Sequence, residues 1–526
     1  MNIAEHVENI KSEVKKIDTK LFAMLAVVGL VIYSSMIVYE LPNPDTVWNG
    51  IYYKNGWEME ASMGRFMLRI FQDLFGHVIS PSTYTIINVI IVAFIGVVVC
   101  DIFALKGISA VLSGLFLMCS PAIAGTLTYY YCSLYYIIAY LLACMASWII
   151  CKKSGWLYSM LAMVILCISM GTYQTYIGVV LVIAVIYTLQ MIFREKAEFL
   201  EILKRVVYMA VSAAGGVIFY LISCKWLLKR WGVEIAQGRG FSEMGQIPLK
   251  ELGTMLRNCY VNVYRYFFSN ELINNNYGNK ETLNKVCFVI MCVLFLYILI
   301  KMKKGWLHRI TAIMVAFVFP IAMMSITIAA SKVSIYDTTG VIMLPTMNYF
   351  YILIICIMEC IDGNELINIG KKTVVYLSTG AILFSLFVFC LSMQTYHKTC
   401  MNRMDFLAKE IAMDIEDMVD DSGKYTLCFA GKVEDGNYPE LYPQLRECVQ
   451  WTTASYGIVW DTFGGTQKCW IRYMKQYTGK EYEDCGIQEY EMVTQSEFFK
   501  EMNNYPDENS MAIFEDSIIV IKLGNI

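Results

Sequence analysis

Residues 21–39 read LFAMLAVVGLVIYSSMIVY, an apolar run without a charged side chain. A run of about 20 apolar residues is long enough to cross a bilayer as one α-helix. It is too long for the apolar region of a signal peptide and has no small-residue cleavage site, so we interpret it as a retained anchor. Lysines precede it at positions 11, 15, 16 and 20. By the positive-inside rule these lysines place the N-terminus in the cytoplasm and the following polar segment, residues 40–83, outside.

Further apolar runs follow, and the sequence predicts about eleven membrane spans in all. After residues 21–39 they cover 84–99, 108–119, 128–150, 156–170, 176–193, 207–227, 286–300, 310–330, 346–361 and 373–391. The runs at 108–119 and 156–170 are short for a full crossing. Lysine and arginine collect in alternate loops, at 152–153, 194–205, 301–309 and 371–372, which assigns those loops to the cytoplasm. An odd number of spans then places the C-terminus outside the cytoplasm.

The composition agrees with a membrane protein. Of the 526 residues, 57% are hydrophobic and only 17% are charged, too few to cover a soluble domain of this length. The net charge of −3 gives no basic field for nucleic acid. The 18 cysteines form no CxxC pair and there are only four histidines, so we expect neither a metal site nor a cofactor.

The C-terminal part differs from the rest. Residues 396–526 are rich in acids, aromatics and turn residues and contain no run long enough to span. We predict helices at 401–418 and 496–504 and strands at 425–430, 511–514 and 517–522. The chain therefore divides into a transmembrane domain, residues 1–395, and a small extracytoplasmic α/β domain, residues 396–526. Outside the cytoplasm four cysteines allow three disulfide pairings, or remain free thiols; they are Cys428, Cys448, Cys469 and Cys485.

The first outer loop begins Glu40-Leu-Pro-Asn-Pro-Asp-Thr-Val-Trp-Asn49. Its prolines hold the chain extended around Asn43 and Asp45, which fixes a carboxylate at the lipid–water boundary. Such a carboxylate suits a general base, and Asp45 is our candidate, with Glu40 as the fallback. The alternatives are that Asp45 caps the following helix or is an ordinary solvated loop acid.

Three more segments carry polar groups to the outer side. Residues 61–75 form an amphipathic pattern typical of an interfacial helix, in which Arg65 and Arg69 either grip a phosphate or meet lipid headgroups. Residues 171–176 read GTYQTY, and their side chains bind sugar hydroxyls or belong to the interfacial aromatic belt. The glycine-rich stretch 237–245 contains Arg239, which could complete a phosphate clamp.

Taken together, these segments resemble the polytopic bacterial glucosyltransferases typified by the serotype-converting O-antigen glucosyltransferases, and especially their Gram-positive relatives. The resemblance rests on Asn43-Pro-Asp45 with Gly64-Arg65, on Gly171-x-Tyr173-Gln174-x-Tyr176, and on Arg239-Gly240 followed by Met244-Gly245. It covers most of the membrane region. Related sequences often carry an acid in the outer turn before the fourth span, whereas residues 129–135 here read YYYCSLY. If that acid helps catalysis elsewhere, this chain uses Glu40, Glu58 or Glu60 instead, or works differently.

The resemblance implies a glycosyltransferase of the multi-spanning C-type architecture in a bacterial cell membrane. It would move a hexose, glucose above all, from a polyprenyl-phosphate donor to a surface glycan or glycolipid, with a synthase and a flippase acting upstream. Asp45 and Glu40 would be catalytic, and the expected substrate-binding residues are Asn43, Arg65, Arg69, Tyr173, Gln174, Tyr176 and Arg239. The main alternative is a transporter or flippase of lipid-linked sugars. A flippase tends to place charge near the membrane midplane, whereas here the polar residues collect in outer loops. A non-catalytic envelope scaffold is a third possibility.

Overall fold

The computed structural model describes residues 18–50, 57–194, 197–236, 250–269, 279–329, 341–361, 365–419, 425–433 and 463–526. Most of these residues are helical. The helices are α1 Thr19–Ile32, α2 Ser34–Tyr39, α3 Pro44–Asn49, α4 Trp57–Ser62, α5 Phe66–Phe75, α6 Pro81–Phe103, α7 Gly107–Met118, α8 Pro121–Thr126, α9 Tyr130–Lys152, α10 Trp156–Thr172, α11 Ile177–Phe193, α12 Phe199–Trp231, α13 Leu252–Phe268, α14 Lys280–Lys301, α15 Trp306–Met323, α16 Ser325–Ala329, α17 Tyr349–Glu359, α18 Glu365–Met418, α19 Phe463–Thr478, α20 Ile487–Gln495 and α21 Glu497–Glu501.

The predicted spans fall on apolar helices. Within the described residues, eight helices are long and apolar enough to cross a membrane, and Thr19–Ile32 with Ser34–Asn49 forms a further pair bent by 56°. The two apolar helices Trp156–Thr172 and Tyr349–Glu359 are shorter. The structure thus agrees with a polytopic helical membrane protein, while the number of spans and their orientation stay predictions.

The bundle is organised around α9, which packs along α6 on one side and α10 on the other. The α9 residues Tyr136, Tyr140 and Ala143 are almost completely buried. In contrast α12 and α14 expose many apolar side chains, among them Phe219, Ile222 and Val289. Apolar side chains on the outside of a polytopic bundle are where lipid tails would lie. The polar groups of this region therefore collect inside the bundle and at its ends.

The sequence did not predict a helix between the spans 207–227 and 286–300. Helix α13, Leu252–Phe268, lies in what was read as an outer loop, and it packs against α14 and α15. Arg257 and Arg265 interrupt its apolar side chains, so its hydropathy is too low for a span. Its buried residues Met255, Cys259 and Asn262 nevertheless recur at helical spacing.

The C-terminal part is a small α/β unit with a four-stranded sheet in the order β2-β1-β4-β3. Strand β1 is Thr426–Ala430, β2 is Glu483–Asp484, β3 is Met511–Phe514 and β4 is Ile518–Lys522. Strand β1 is parallel to both neighbours, and β3 and β4 form an antiparallel hairpin. The connection between β3 and β4 is three residues, 515–517, and Glu515 and Asp516 both have positive φ, which lets the chain reverse tightly.

The strands predicted at 425–430, 511–514 and 517–522 are confirmed, with the last one beginning at Ile518. The helix predicted at 401–418 is the end of α18, a 54-residue helix that begins in the membrane region. The helix predicted at 496–504 is shorter, Glu497–Glu501 with Ser496 as its N-cap. Helices α19 and α20 were not predicted. Arg239, Cys448 and the lysines at 11, 15 and 16 lie outside the described residues.

Candidate functional site

The short helix α3 carries Asp45 and is fixed to the start of α9. Asn43 is its N-cap, because the Asn43 side chain accepts a 2.9 Å hydrogen bond from the Thr46 N–H, and Pro44 occupies the first turn. The Asn43 N–H donates to the Thr128 carbonyl at 3.1 Å. The Thr46 hydroxyl donates to the same carbonyl at 2.9 Å and accepts from the Tyr130 N–H. Asn43 thus caps the helix, and Asp45 is left half-buried in its first turn.

Asp45 faces tyrosines at the start of α9. The negative charge of the Asp45 carboxylate acts on the hydroxyl of Tyr129. The charges of both Asp45 and Glu60 act on the hydroxyl of Tyr131. Two carboxylates from different parts of the segment 40–83 therefore act on the same tyrosine.

Arg65 and Glu60 form a buried ion pair beside these tyrosines. The Arg65 Nη1 atom lies 2.9 Å from Glu60 Oε2, and their side chains are 10% and 7% exposed. The same nitrogen donates to the Tyr136 hydroxyl at 2.9 Å. The guanidinium carbon lies 5.0 Å from the ring centre of Tyr173, which stacks on Tyr136 with ring centres 4.3 Å apart. Two aromatic rings, a phenol and a carboxylate thus hold one guanidinium at the end of the bundle.

The turn before Arg65 is held by side chains from the segment 171–176 and from α12. Gln174 donates through Nε2 to the Met63 carbonyl at 2.6 Å and to the Tyr220 hydroxyl at 3.0 Å. The Tyr220 hydroxyl donates to the Gly64 carbonyl at 3.2 Å. Gly64 has a φ of +78°, and a Cβ there would lie 2.5 Å from the Tyr220 oxygen. A glycine is therefore required both by the backbone conformation and by the close approach of Tyr220.

The segment 171–176 packs directly on the segment 40–83. A Cβ on Gly171 would lie 2.5 Å from Cζ of Phe66 in α5. Next along the segment, Tyr173 lies under Arg65, and Gln174 binds the turn of Met63. Tyr176 is buried deeper and stacks on Tyr140 with ring centres 5.2 Å apart. The sequence predicted that these segments share a site, and the structure places Asp45, Arg65, Tyr173 and Gln174 in one region.

Other predicted site residues lie elsewhere. Glu40 is exposed at the end of α2 and accepts a 2.9 Å hydrogen bond from the Ser82 hydroxyl. The Arg69 guanidinium lies over the ring of Trp231 at 4.4 Å and 3.9 Å from Asp73. Arg239 lies outside the described residues, although the chain leading to it is attached to this loop, since the Ala236 N–H donates to the Ser62 carbonyl at 3.0 Å.

The C-terminal part contacts the other side of α3. The Cys469 thiol of α19 donates to the Pro44 carbonyl at 3.7 Å, and Trp48 packs against the apolar cluster of that unit. Lys468 lies over the Trp48 ring at 4.8 Å. From α18, Nε2 of the buried His397 lies 2.5 Å from the Pro42 carbonyl. The helix that carries Asp45 is therefore held between α9 and the C-terminal unit.

Sequence reasoning underrated Glu60 and did not single out Tyr129, Tyr131, Tyr136 or Tyr220. Glu60 was named only as a substitute, because an acid in a polar loop has no sequence signal for burial. The tyrosines at 129–131, 135 and 136 were visible as an aromatic cluster at the start of a span. Among the described residues, no group of three or more His, Cys, Asp or Glu side chains is arranged to hold a metal ion.

The fold and this site define a polytopic helical membrane protein with an acidic and aromatic site at one end of its bundle. A model of the glucosyl transferase GtrII family matches residues 34–350. This match covers more than half of the chain and includes α3, the Arg65 turn and the 171–176 segment, so the protein belongs to the GtrII glucosyl transferase family. No curated protein and no solved structure matches the chain.

Proposed function

We propose that this protein transfers a glucosyl residue from a polyprenyl-phosphate donor to a surface glycan or glycolipid at the outer face of a bacterial cell membrane. The family supports glucosyl transfer. The proposed donor, acceptor and location are supported by the convergence of Asp45, Glu60 and Arg65 on one tyrosine-lined region at the end of the bundle. A site there is within reach of a substrate whose lipid tail stays in the bilayer.

In this proposal Asp45 takes the proton of the acceptor hydroxyl as that oxygen attacks the anomeric carbon. The bond from the anomeric carbon to the phosphate oxygen breaks, and the polyprenyl phosphate leaves with the electron pair. Arg65 stabilises the charge that develops on this phosphate, because a guanidinium binds phosphate oxygens in a planar fork. Tyr173 and Gln174 shape the region next to Arg65 and keep its guanidinium in place.

The Arg65–Glu60 pair supports this assignment. Because Arg65 is already desolvated beside two rings, its guanidinium needs little further reorganisation to bind a phosphate. Glu60 also keeps the buried cation compensated while the donor is absent. In the proposed orientation, the N-terminus lies in the cytoplasm and the C-terminal unit lies outside.

The direct test uses the purified full-length protein in liposomes, supplied with glucosyl-phosphoryl-polyprenol and with surface polymer isolated from a deletion strain. We expect labelled glucose to move from the lipid to the polymer, and mass and linkage analysis of polymers from the deletion strain to show the loss of one glucosyl branch. Movement of the lipid-linked sugar between leaflets without transfer would instead indicate a flippase. A reporter fused after residue 396 tests the orientation, and activity only in the cytoplasm would contradict it.

A further inference from the structure

Strands β1 and β2 place two cysteines opposite each other. The parallel register pairs Thr426 with Glu483 and Leu427 with Asp484. The next pair in this register is Cys428 and Cys485, and the Cys485 N–H donates to the Leu427 carbonyl at 3.1 Å. Neighbouring strands lie about 4.8 Å apart. This spacing is within the range of about 4.4–6.8 Å between Cα atoms that a disulfide needs.

The two thiols share one buried environment. Cys428 is 0% exposed and Cys485 is 1% exposed, and both belong to the apolar cluster that includes Val493, Phe499 and Val520. The register places the two residues next to each other, and Cys485 acts electrostatically on Cys428. Cys469 belongs to the cluster on the opposite face of the sheet, together with Leu427 and Phe429. The sheet therefore separates Cys469 from this pair.

We propose that Cys428 and Cys485 are joined by a disulfide bond in the mature protein. This inference rests on the extracytoplasmic position proposed above, because disulfides persist in that environment. The bond forms by exchange with the disulfide of an extracytoplasmic thiol–disulfide oxidoreductase. One cysteine thiolate attacks the oxidant to give a mixed disulfide, and the other displaces it. The two thiols of this chain lose two protons and two electrons, and the oxidant leaves as a dithiol.

The environment of the pair sets when this exchange takes place. The neighbouring Cys485 and burial both raise the pKa of the Cys428 thiol. A buried, protonated thiol is a poor nucleophile, and the attack requires a thiolate that the oxidant can reach. The exchange therefore takes place during folding, before β2 and the helices after it pack over the cysteines.

The bond would close the chain segment that contains α19. Strand β2 has only two residues, Glu483 and Asp484, and both are exposed at the edge of the sheet. A covalent link to the buried strand β1 holds this short edge in register and restricts the unfolded chain between the two cysteines. Since α19 contacts Pro44 and Trp48, the bond also stabilises the element that supports α3.

The test is a peptide map of full-length protein from membranes of its own host, denatured and alkylated at harvest so that buried free thiols react, and digested without reduction. We expect one linked peptide pair containing Cys428 and Cys485, which reduction separates, and alkylated Cys469. Alkylation of both Cys428 and Cys485, or a link from either to Cys448 or Cys469, would overturn the proposal. A reporter after residue 396 that reads outside in the same cells, with both thiols alkylated, refutes the disulfide and leaves the proposed function intact.

Alanine variants give a second readout that does not depend on recovery of the linked peptide. Alanine is used because the site is apolar and a serine hydroxyl would have no partner there. If the bond exists, Cys428→Ala, Cys485→Ala and the double variant should all be cleaved faster by protease to the same degree, because each change removes the same bond. Effects that add in the double variant would indicate two independent thiols and contradict the bond.

Discussion

The guanidinium of Arg65 lies 5.0 Å from the ring centre of Tyr173, although one residue precedes α5 and the other follows α10. This contact joins the two motifs on which the family resemblance rests. Gln174 and Tyr220 complete the connection, since both bind the turn just before Arg65. The motifs are therefore parts of one structural unit, and changes in any of them should alter the position of Arg65.

Gly64→Ala should reduce transfer activity more than the same substitution at another glycine with positive φ. The matched control is Gly76→Ala, because both glycines have positive φ, +78° and +87°, but a Cβ on Gly76 would have nothing within 4 Å. Both variants place a side chain at positive φ, which costs about 1–3 kcal/mol, and Gly76, with a ψ of 177°, lies in a region that is essentially restricted to glycine. Only Gly64→Ala must also displace Tyr220 and Gln174. We expect transfer per molecule to fall at least about tenfold, since small misplacements of catalytic groups are costly.

The measurement is transfer activity normalised to the amount of protein in the membrane. Equal activity in Gly64→Ala and Gly76→Ala would mean that the Tyr220 contact does not control the position of Arg65.

Arg65→Lys should show whether the site needs only the positive charge of Arg65 or also the planar shape of its guanidinium. A lysine keeps a cation next to Glu60, so the buried carboxylate remains compensated and the protein should accumulate. It cannot form a planar fork with phosphate or stack in the same way on Tyr173. We expect transfer to fall at least about tenfold, the lower end of losses seen when one electrostatic donor is removed. Arg230→Lys, at an exposed position, is the control and should retain activity.

Glu60→Gln tests the other partner of the buried ion pair with Arg65. Removing the carboxylate leaves the Arg65 cation buried without that partner, a change that typically costs about 3–5 kcal/mol. The variant should therefore be present at lower abundance, as shown by immunoblotting of membranes. Normal abundance would argue that Glu60 is not needed to compensate Arg65.

Trp48→Ala tests whether the C-terminal unit supports α3. Trp48 packs against the C-terminal cluster and under Lys468, so its loss should loosen the contact between α3 and α19. We expect lower transfer and faster proteolysis of the C-terminal unit at similar membrane abundance. Trp306→Ala removes a tryptophan that is 71% exposed and should have little effect. Similar losses in both variants would contradict a specific role for the contact.

The sequence was informative where one physical signal dominated. Long apolar runs predicted the membrane helices, and two short apolar runs on either side of Glu515–Asp516 predicted the β3–β4 hairpin. The sequence was less informative where contacts between distant segments determine which residues are buried. The burial of Glu60 depends on Arg65 and on tyrosines of α9, which no local pattern in the loop reveals. The sequence Asn43-Pro-Asp45 is typical of a helix start, so the N-cap role of Asn43 could have been predicted. The prediction of an extended turn around the two prolines is wrong, since α3 begins at Pro44.

The last prediction concerns Asp45. Since Asn43 caps α3, the interpretation of Asp45 as the cap is wrong, and Asp45→Asn should leave the helix start intact. The variant keeps the volume of the side chain and removes its basicity, and loss of a general base typically slows a reaction about 10²–10⁴-fold. We expect normal abundance, retained binding of lipid-linked sugar and a loss of transfer in this range. Asp73→Asn is the control, because Asp73 is an exposed acid of the same loop, 3.9 Å from Arg69. Full transfer in Asp45→Asn would exclude Asp45 as the base and direct the search to Glu60 and Glu40, to be tested as Gln variants in the same assay.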